Sequence, residues 1–202
     1  MKKRAIIICI VLFVIIPNFF MPLTKMTHLS DEEIGGMDTL YEENDTVLFI
    51  SESGDMDTMR IFEKYVINSL WPFTGIQWFE GFDERIASII YGADIQHSGK
   101  VDRCSWSIAK YDNRRLPKFD TYVNNLSSEF AINRPYDSVL VNNLYIPEGW
   151  SFDTLNTETN VHFVNFNIES FVWSKSLGLV TYKYVDGERY YLKDLETKIR
   201  AR

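Results

Sequence analysis

The chain predicts a mainly β domain, built of antiparallel hairpins or a meander as a sandwich or partly open barrel, behind one N-terminal transmembrane helix. Three observations carry that prediction. Aromatic residues reach 15% and are accompanied by many Val and Thr, all strand-favouring types. Several stretches alternate apolar and polar residues with period two, separated by Gly and Asn turn signals. Residues 5–23 carry one polar side chain, Asn18.

Lys2, Lys3 and Arg4 precede that apolar stretch. Nineteen helical residues span about 28 Å, close to the hydrocarbon thickness of a bilayer. The alternative is a cleaved signal peptide, for which residues 5–16 alone are long enough and Pro17 would end the apolar run. No pair of small residues follows Ile16 in the pattern a signal peptidase needs, so an uncleaved anchor at 1–24 is expected. Cys9 sits inside the apolar run, not after it, which excludes a lipid-bearing cysteine. The basic start keeps the N-terminus cytoplasmic and sends the body to the other side. The expected address is the inner membrane with a periplasmic body; the alternative is a secreted or periplasmic protein after cleavage.

Residues 25–46 are polar and acidic, with Gly35-Gly36 as a flexible point and a short turn capped by Ser30; they are expected as a linker. The β domain follows at 47–194. Residues 47–50 and 59–62 flank a turn containing Gly54-Asp55 and read as a hairpin, with a helix over 57–70 as competitor. Residues 85–95 and 101–110 flank His97-Ser98-Gly99. In the second arm Cys104, Trp106 and Ile108 alternate with Arg103, Ser105 and Ser107, giving one buried and one wet face. Residues 118–130 fit either a helix or a strand, with the strand preferred. Asn142-Asn143 between two short apolar runs reads as a tight hairpin turn, which Pro147-Glu148-Gly149 ends. Residues 164–192 read as three strands of a meander, joined by the turn at 174–178 and by Asp186-Gly187. Residues 195–202 are expected as a frayed tail.

Composition narrows the function classes. Four of the 21 basic residues lie in or beside the anchor, so the remaining 17 face 28 acidic residues in the body. An acidic body argues against nucleic acid as a partner, since phosphate neutralisation needs Lys and Arg. Cys104 is the body's single cysteine, so the domain forms no internal disulfide, and a small buried apolar role is expected for it.

Three segments resemble a known group: Ser53-Gly54-Asp55-Met56-Asp57-Thr58, then residues 110–116, then residues 171–182 with their aromatic-Ser-Lys-x-x-Gly-Leu-Val-x-Tyr hairpin. They are similar to small uncharacterised membrane-anchored or lipid-anchored proteins of the Bacteroidetes type. That resemblance implies a mainly β fold and an envelope address, and brings no activity.

Catalytic patterns are scarce. Asp55-Met56-Asp57-Thr58 approaches a phosphatase loop, but its threonine comes one position early, so a turn is expected. Gly149-Trp150-Ser151-Phe152-Asp153 is half a nucleophile elbow, with Asp where the second Gly belongs. His28, His97 and His162 lack ligand spacing; they are expected in the linker, in a turn and at a strand start. No cofactor and no metal is expected. The aromatic residues in loops beside Pro or Gly, namely Trp71, Trp78 and Trp150, are the candidate binding residues, while Trp106 and Trp173 are expected in the core. The expected function is a non-enzymatic binding or envelope-associated module, membrane-bound through residues 5–23, with a protein or glycan partner. The alternatives are an apolar-ligand or lipid-handling domain and an envelope hydrolase. The hydrolase needs two acids, or an acid and a histidine, facing each other in one cleft.

Overall fold

The computed structural model describes residues 27–68, 86–123, 126–131, 136, 138–153 and 168–201, with 126–131 and 153 as backbone. The expected anchor at 5–23 lies outside them, as do Trp71, Trp78 and His162. Among the described residues no helix is long and apolar enough to cross a membrane.

The body is mainly β. Among the described residues twelve strands run β1 (Thr46–Ser51), β2 (Met56–Ile67), β3 (Ala87–His97), β4 (Lys100–Lys110), β5 (Lys118–Val123), β6 (Leu126–Ala131), β7 (Leu140–Val141), β8 (Leu144–Tyr145), β9 (Gly149–Asp153), β10 (Ile168–Ser174), β11 (Gly178–Tyr184) and β12 (Arg189–Leu192). Ten of them form one sheet in the order β6-β5-β4-β3-β2-β1-β12-β11-β10-β9, and β7 and β8 make a separate hairpin. Every neighbouring pair is antiparallel. The sheet is thus two meanders, β1–β6 and β9–β12, joined where β1 lies beside β12.

The sheet curls into a half-barrel whose two halves face each other across an aromatic core. Trp106 on β4 meets Trp173 on β10 with ring centroids 4.7 Å apart. Phe119 on β5 lies 5.6 Å from both Trp150 on β9 and Trp173. Tyr41 and Tyr91 complete the stack on Trp106. Each aromatic pair adds about 0.5–1.5 kcal/mol beyond the burial of its surface. Cys104 is buried in this core, and burial pushes its thiol well above the ordinary cysteine range. It is a small apolar core residue, as the sequence predicts.

Both segments that fitted a helix or a strand are strands. In β2 the inward positions Asp57, Met59 and Ile61 alternate strictly. The helical spacing of Phe62, Tyr65 and Val66 comes from residues left exposed beyond a bulge after Ile61. Asn142 and Asn143 both adopt positive φ between β7 and β8, as their turn requires.

Three expectations need correction. The stretch 25–46 is no flexible linker from Thr27 on. Helix α1 (Asp31–Ile34) carries a complete Ser30–Glu33 capping box, and a 3-10 turn follows at Met37–Thr39. Leu29, Ile34, Met37 and Tyr41 are buried in the core, so the acidic residues form only the outer side of a plug. Trp150 does not lie in a loop: the β7–β8 hairpin ends before Pro147 as expected, and Gly149 then opens β9, with Trp150 and Phe152 inward. Residues 195–200 form helix α2 (Leu195–Arg200), docked by buried Leu195 and braced by a Glu196–Arg200 pair one turn apart.

The plug closes one end of the half-barrel. Thr27 Oγ1 accepts from the N–H of Ala87, the first residue of β3. Asn68, just past β2, exchanges two hydrogen bonds with the backbone of Leu29. Lys110, the last residue of β4, donates to Glu33 at 2.7 Å. Burial raises the Glu33 carboxyl, but the hydrogen bonds from Lys110 and Ser30 outweigh it and hold the group below its ordinary value. Tyr91 donates to the Met37 carbonyl from the barrel wall.

Candidate functional site

Asp57 and His97 meet at the opposite end of the strands. Asp57 is the second residue of β2, and its inward position follows from the alternation with Met59 and Ile61. His97 is the last residue of β3, inward by the same alternation from Tyr91, Ala93 and Ile95. Thr58 pairs with Gln96 in the β2–β3 register, which makes Asp57 and His97 cross-strand neighbours on one face. His97 Nδ1 lies 3.0 Å from one Asp57 oxygen and 3.2 Å from the other. Tyr182 on β11 donates its hydroxyl to Asp57 at 2.7 Å. The carboxylate is 1% exposed, so both partners are needed to offset its loss of water.

A wall of tyrosines surrounds the pair. His97 lies against Tyr184, centroids 4.2 Å apart, and meets Tyr190 edge-on at 5.4 Å. Tyr182 and Tyr190 stack in parallel across β11 and β12. Tyr184 donates to a second inward carboxylate, Asp102 on β4, at 3.4 Å. Burial, then the neighbouring Asp57 and Asp102 charges, push the Tyr182 and Tyr184 phenols far above the ordinary tyrosine value. Tyr190 rises through burial and then Asp57. The Tyr182 and Tyr184 hydroxyls stay protonated in the folded protein and serve as donors to Asp57 and Asp102 respectively.

The side chain of His97 keeps 16% of its surface, while Asp57, Tyr182, Tyr184 and Tyr190 keep almost none. His97 is therefore the group through which the cluster meets solvent. With Asp57 at Nδ1, the ring is held in one orientation. The β1–β2 turn that precedes Asp57 carries Ser53, which hydrogen-bonds Asp55 and Glu188 at 2.9 and 2.8 Å. The turn expected at Asp55 is thus present, while Asp57 two positions on belongs to the buried cluster.

No serine, threonine or cysteine is hydrogen-bonded to His97 among the described residues, and no group of three or more His, Cys, Asp or Glu could hold a metal ion. The acid and histidine face each other without a nucleophile beside them. Comparison with known protein families, curated proteins and solved structures finds no match to this chain.

Of the candidate binding residues, Trp150 is fully buried on β9, between Phe119 and Tyr136, and presents no face to a ligand. Trp71 and Trp78 lie outside the described residues. Trp106 and Trp173 occupy the core as expected. Sequence reasoning missed the pairing of Asp57 with His97. The signal that finds it is period two: counting inward positions back from Ile61 reaches Asp57, and counting on from Tyr91 reaches His97.

Proposed function

We propose that the chain is a membrane-tethered, extracytoplasmic binding module that takes a protein or glycan partner at the sheet end carrying His97. The observation that supports this is the polarity of the half-barrel. β3 begins at Ala87, hydrogen-bonded to Thr27, and ends at His97. Its eleven residues span about 33 Å, so the partly buried His97 lies a full strand length from the point where the chain leaves toward residues 5–23. A tether at that point turns the His97 end outward. The resemblance of residues 171–182 to envelope proteins agrees with this address.

The filled interior counts against the lipid-handling alternative, which needs a sizeable apolar cavity. Trp106, Phe119, Trp150 and Trp173 occupy the space between the two walls. A hydrolytic reading draws on one observation, the Asp57–His97 pair, which resembles a base and its orienting acid. Among the described residues no nucleophile is hydrogen-bonded to His97, so this reading would require His97 to activate water.

The test is photo-crosslinking in the native envelope with the full chain. A crosslinking residue at position 98 or 100 should give discrete protein or glycan adducts that disappear on His97→Ala, while circular dichroism shows the fold retained. No adducts, or adducts indifferent to His97→Ala, would refute the binding reading.

A further inference from the structure

The plugged end of the half-barrel carries an apolar fringe of its own. Val66 and Ile67 at the end of β2, Ile86 before β3, and Tyr111 and Leu116 between β4 and β5 are 38–50% exposed. The strand registers place them together: Ile67 pairs with Ser88, Ala87 pairs with Lys110, and Ala109 pairs with Lys118. Exposed apolar residues in a cluster mark an interaction surface more often than scattered ones do.

The loop between β4 and β5 is built rigidly. Asp112 accepts the N–H of Arg114 through its side chain and that of Arg115 through its carbonyl, which turns Arg114, Arg115 and Leu116 outward. Asn113 accepts the backbone N–H of His28, so the loop is tied to the chain one residue beyond Thr27. Leu23, the last residue of the apolar run, is four residues from Thr27, a reach of about 14 Å at full extension. Within that reach the fringe lies at the headgroup level of any bilayer that residues 5–23 span.

We infer that this end of the domain docks on the bilayer interface, with Tyr111 and Leu116 entering the acyl boundary and Arg114 and Arg115 meeting anionic headgroups. The inference rests on the tether reading. Its chemistry is that of an interfacial anchor: an aromatic and an aliphatic side chain flanked by two guanidinium groups. On this loop Arg114 and Arg115 outnumber the one carboxylate, Asp112, which accepts the N–H of Arg114. The plug at the same end exposes Asp31 and Glu32, so the cationic charge of this end is confined to the loop side, and the net acidity of the body keeps the remaining surface off an anionic membrane.

The test uses the full chain reconstituted in vesicles of mixed phosphatidylethanolamine and phosphatidylglycerol. A photo-crosslinking residue is placed singly at position 14, 111, 116 or 101, and lipid adducts are read by mass. Adducts at 14, 111 and 116 but not at 101, with the yield at 116 falling severalfold on Arg114→Glu with Arg115→Glu while that at 14 is unchanged, support interfacial docking. Adducts at 14 with none at 111 or 116 overturn the docking and leave the tether standing. Absence of adducts at 14 overturns the tether and the docking with it. Equal adducts at 101 and 116 overturn the orientation.

Discussion

Replacing Asp57 by alanine removes the one acceptor shared by His97 and Tyr182. Tyr182 is fully buried, so its hydroxyl loses its partner without gaining water. A buried donor left unpaired costs about 1–3 kcal/mol, and breaking a buried charged pair from one side costs about 3–5 kcal/mol. His97 keeps some contact with solvent, which draws the expected total for Asp57→Ala toward the lower part of that range, about 3 kcal/mol. For a domain of this size each kcal/mol lowers Tm by about 2–4 °C, so the expected loss is roughly 6–12 °C. Urea unfolding of the full chain in detergent, followed by tryptophan fluorescence, measures it. Tyr182→Phe should cost about 1.5–3 kcal/mol, the range for a hydrogen bond to a charged group. The double variant should cost clearly less than the two singles together, because both remove the same contact. A cost for Asp57→Ala below about 0.5 kcal/mol, or strict additivity in the double variant, would refute the claim that Asp57 holds the cluster together.

Gly178 begins β11 at φ +77, and a methyl group there would run into the Tyr41 ring. Gly178→Ala should therefore lower stability by about 2–4 kcal/mol in urea unfolding, from backbone strain together with displacement of a core tyrosine. Acid should weaken the plug: the Glu33 carboxyl is held below its ordinary value of 4.5, so its contribution is complete above that value and is lost as pH falls through the lower folded-state pKa. Lys110→Met should flatten this acid limb of a stability–pH curve. Alkali should act through the phenols. Tyr91 is pushed up to about 12 by burial, so its contribution is complete below 10 and is lost between 10 and about 12, visible as delayed phenolate absorbance and falling stability. Mass analysis of the mature protein taken from membranes should recover Lys2, Lys3 and Arg4; a chain beginning after about residue 20 would sink the tether.

The hairpins were legible because each is a local pattern. Alternation in Cys104, Trp106 and Ile108, or the Asn142-Asn143 turn, needs only a dozen consecutive residues to be read. The plug was not legible, because Asp31, Glu32 and Glu33 look like solvated linker when taken with their neighbours. Its apolar residues, Leu29, Ile34, Met37 and Tyr41, become meaningful only against the far wall they pack on. The Asp57–His97 pair is hidden for a related reason. The two residues lie in different hairpins, and only the β2–β3 register brings them together. His97 adjoins a Ser98-Gly99 turn, and that signal outweighed the inward alternation of β3. Trp150 misled through its glycine neighbour, which suggested a loop where the backbone in fact begins a strand.

The join between β1 and β12 has a consequence for biogenesis. Phe49 pairs with Leu192, so the centre of the sheet is sewn from the first strand and the last. The β1–β6 half emerges from the ribosome early but waits for nearly the whole chain before its central edge is covered. Until then Phe49 and Ile50 present an open ladder on the edge of the first meander. The sheet closes only once the C-terminal strands have been made, so its central pairing has the longest sequence separation in the domain and is the slow step of its assembly.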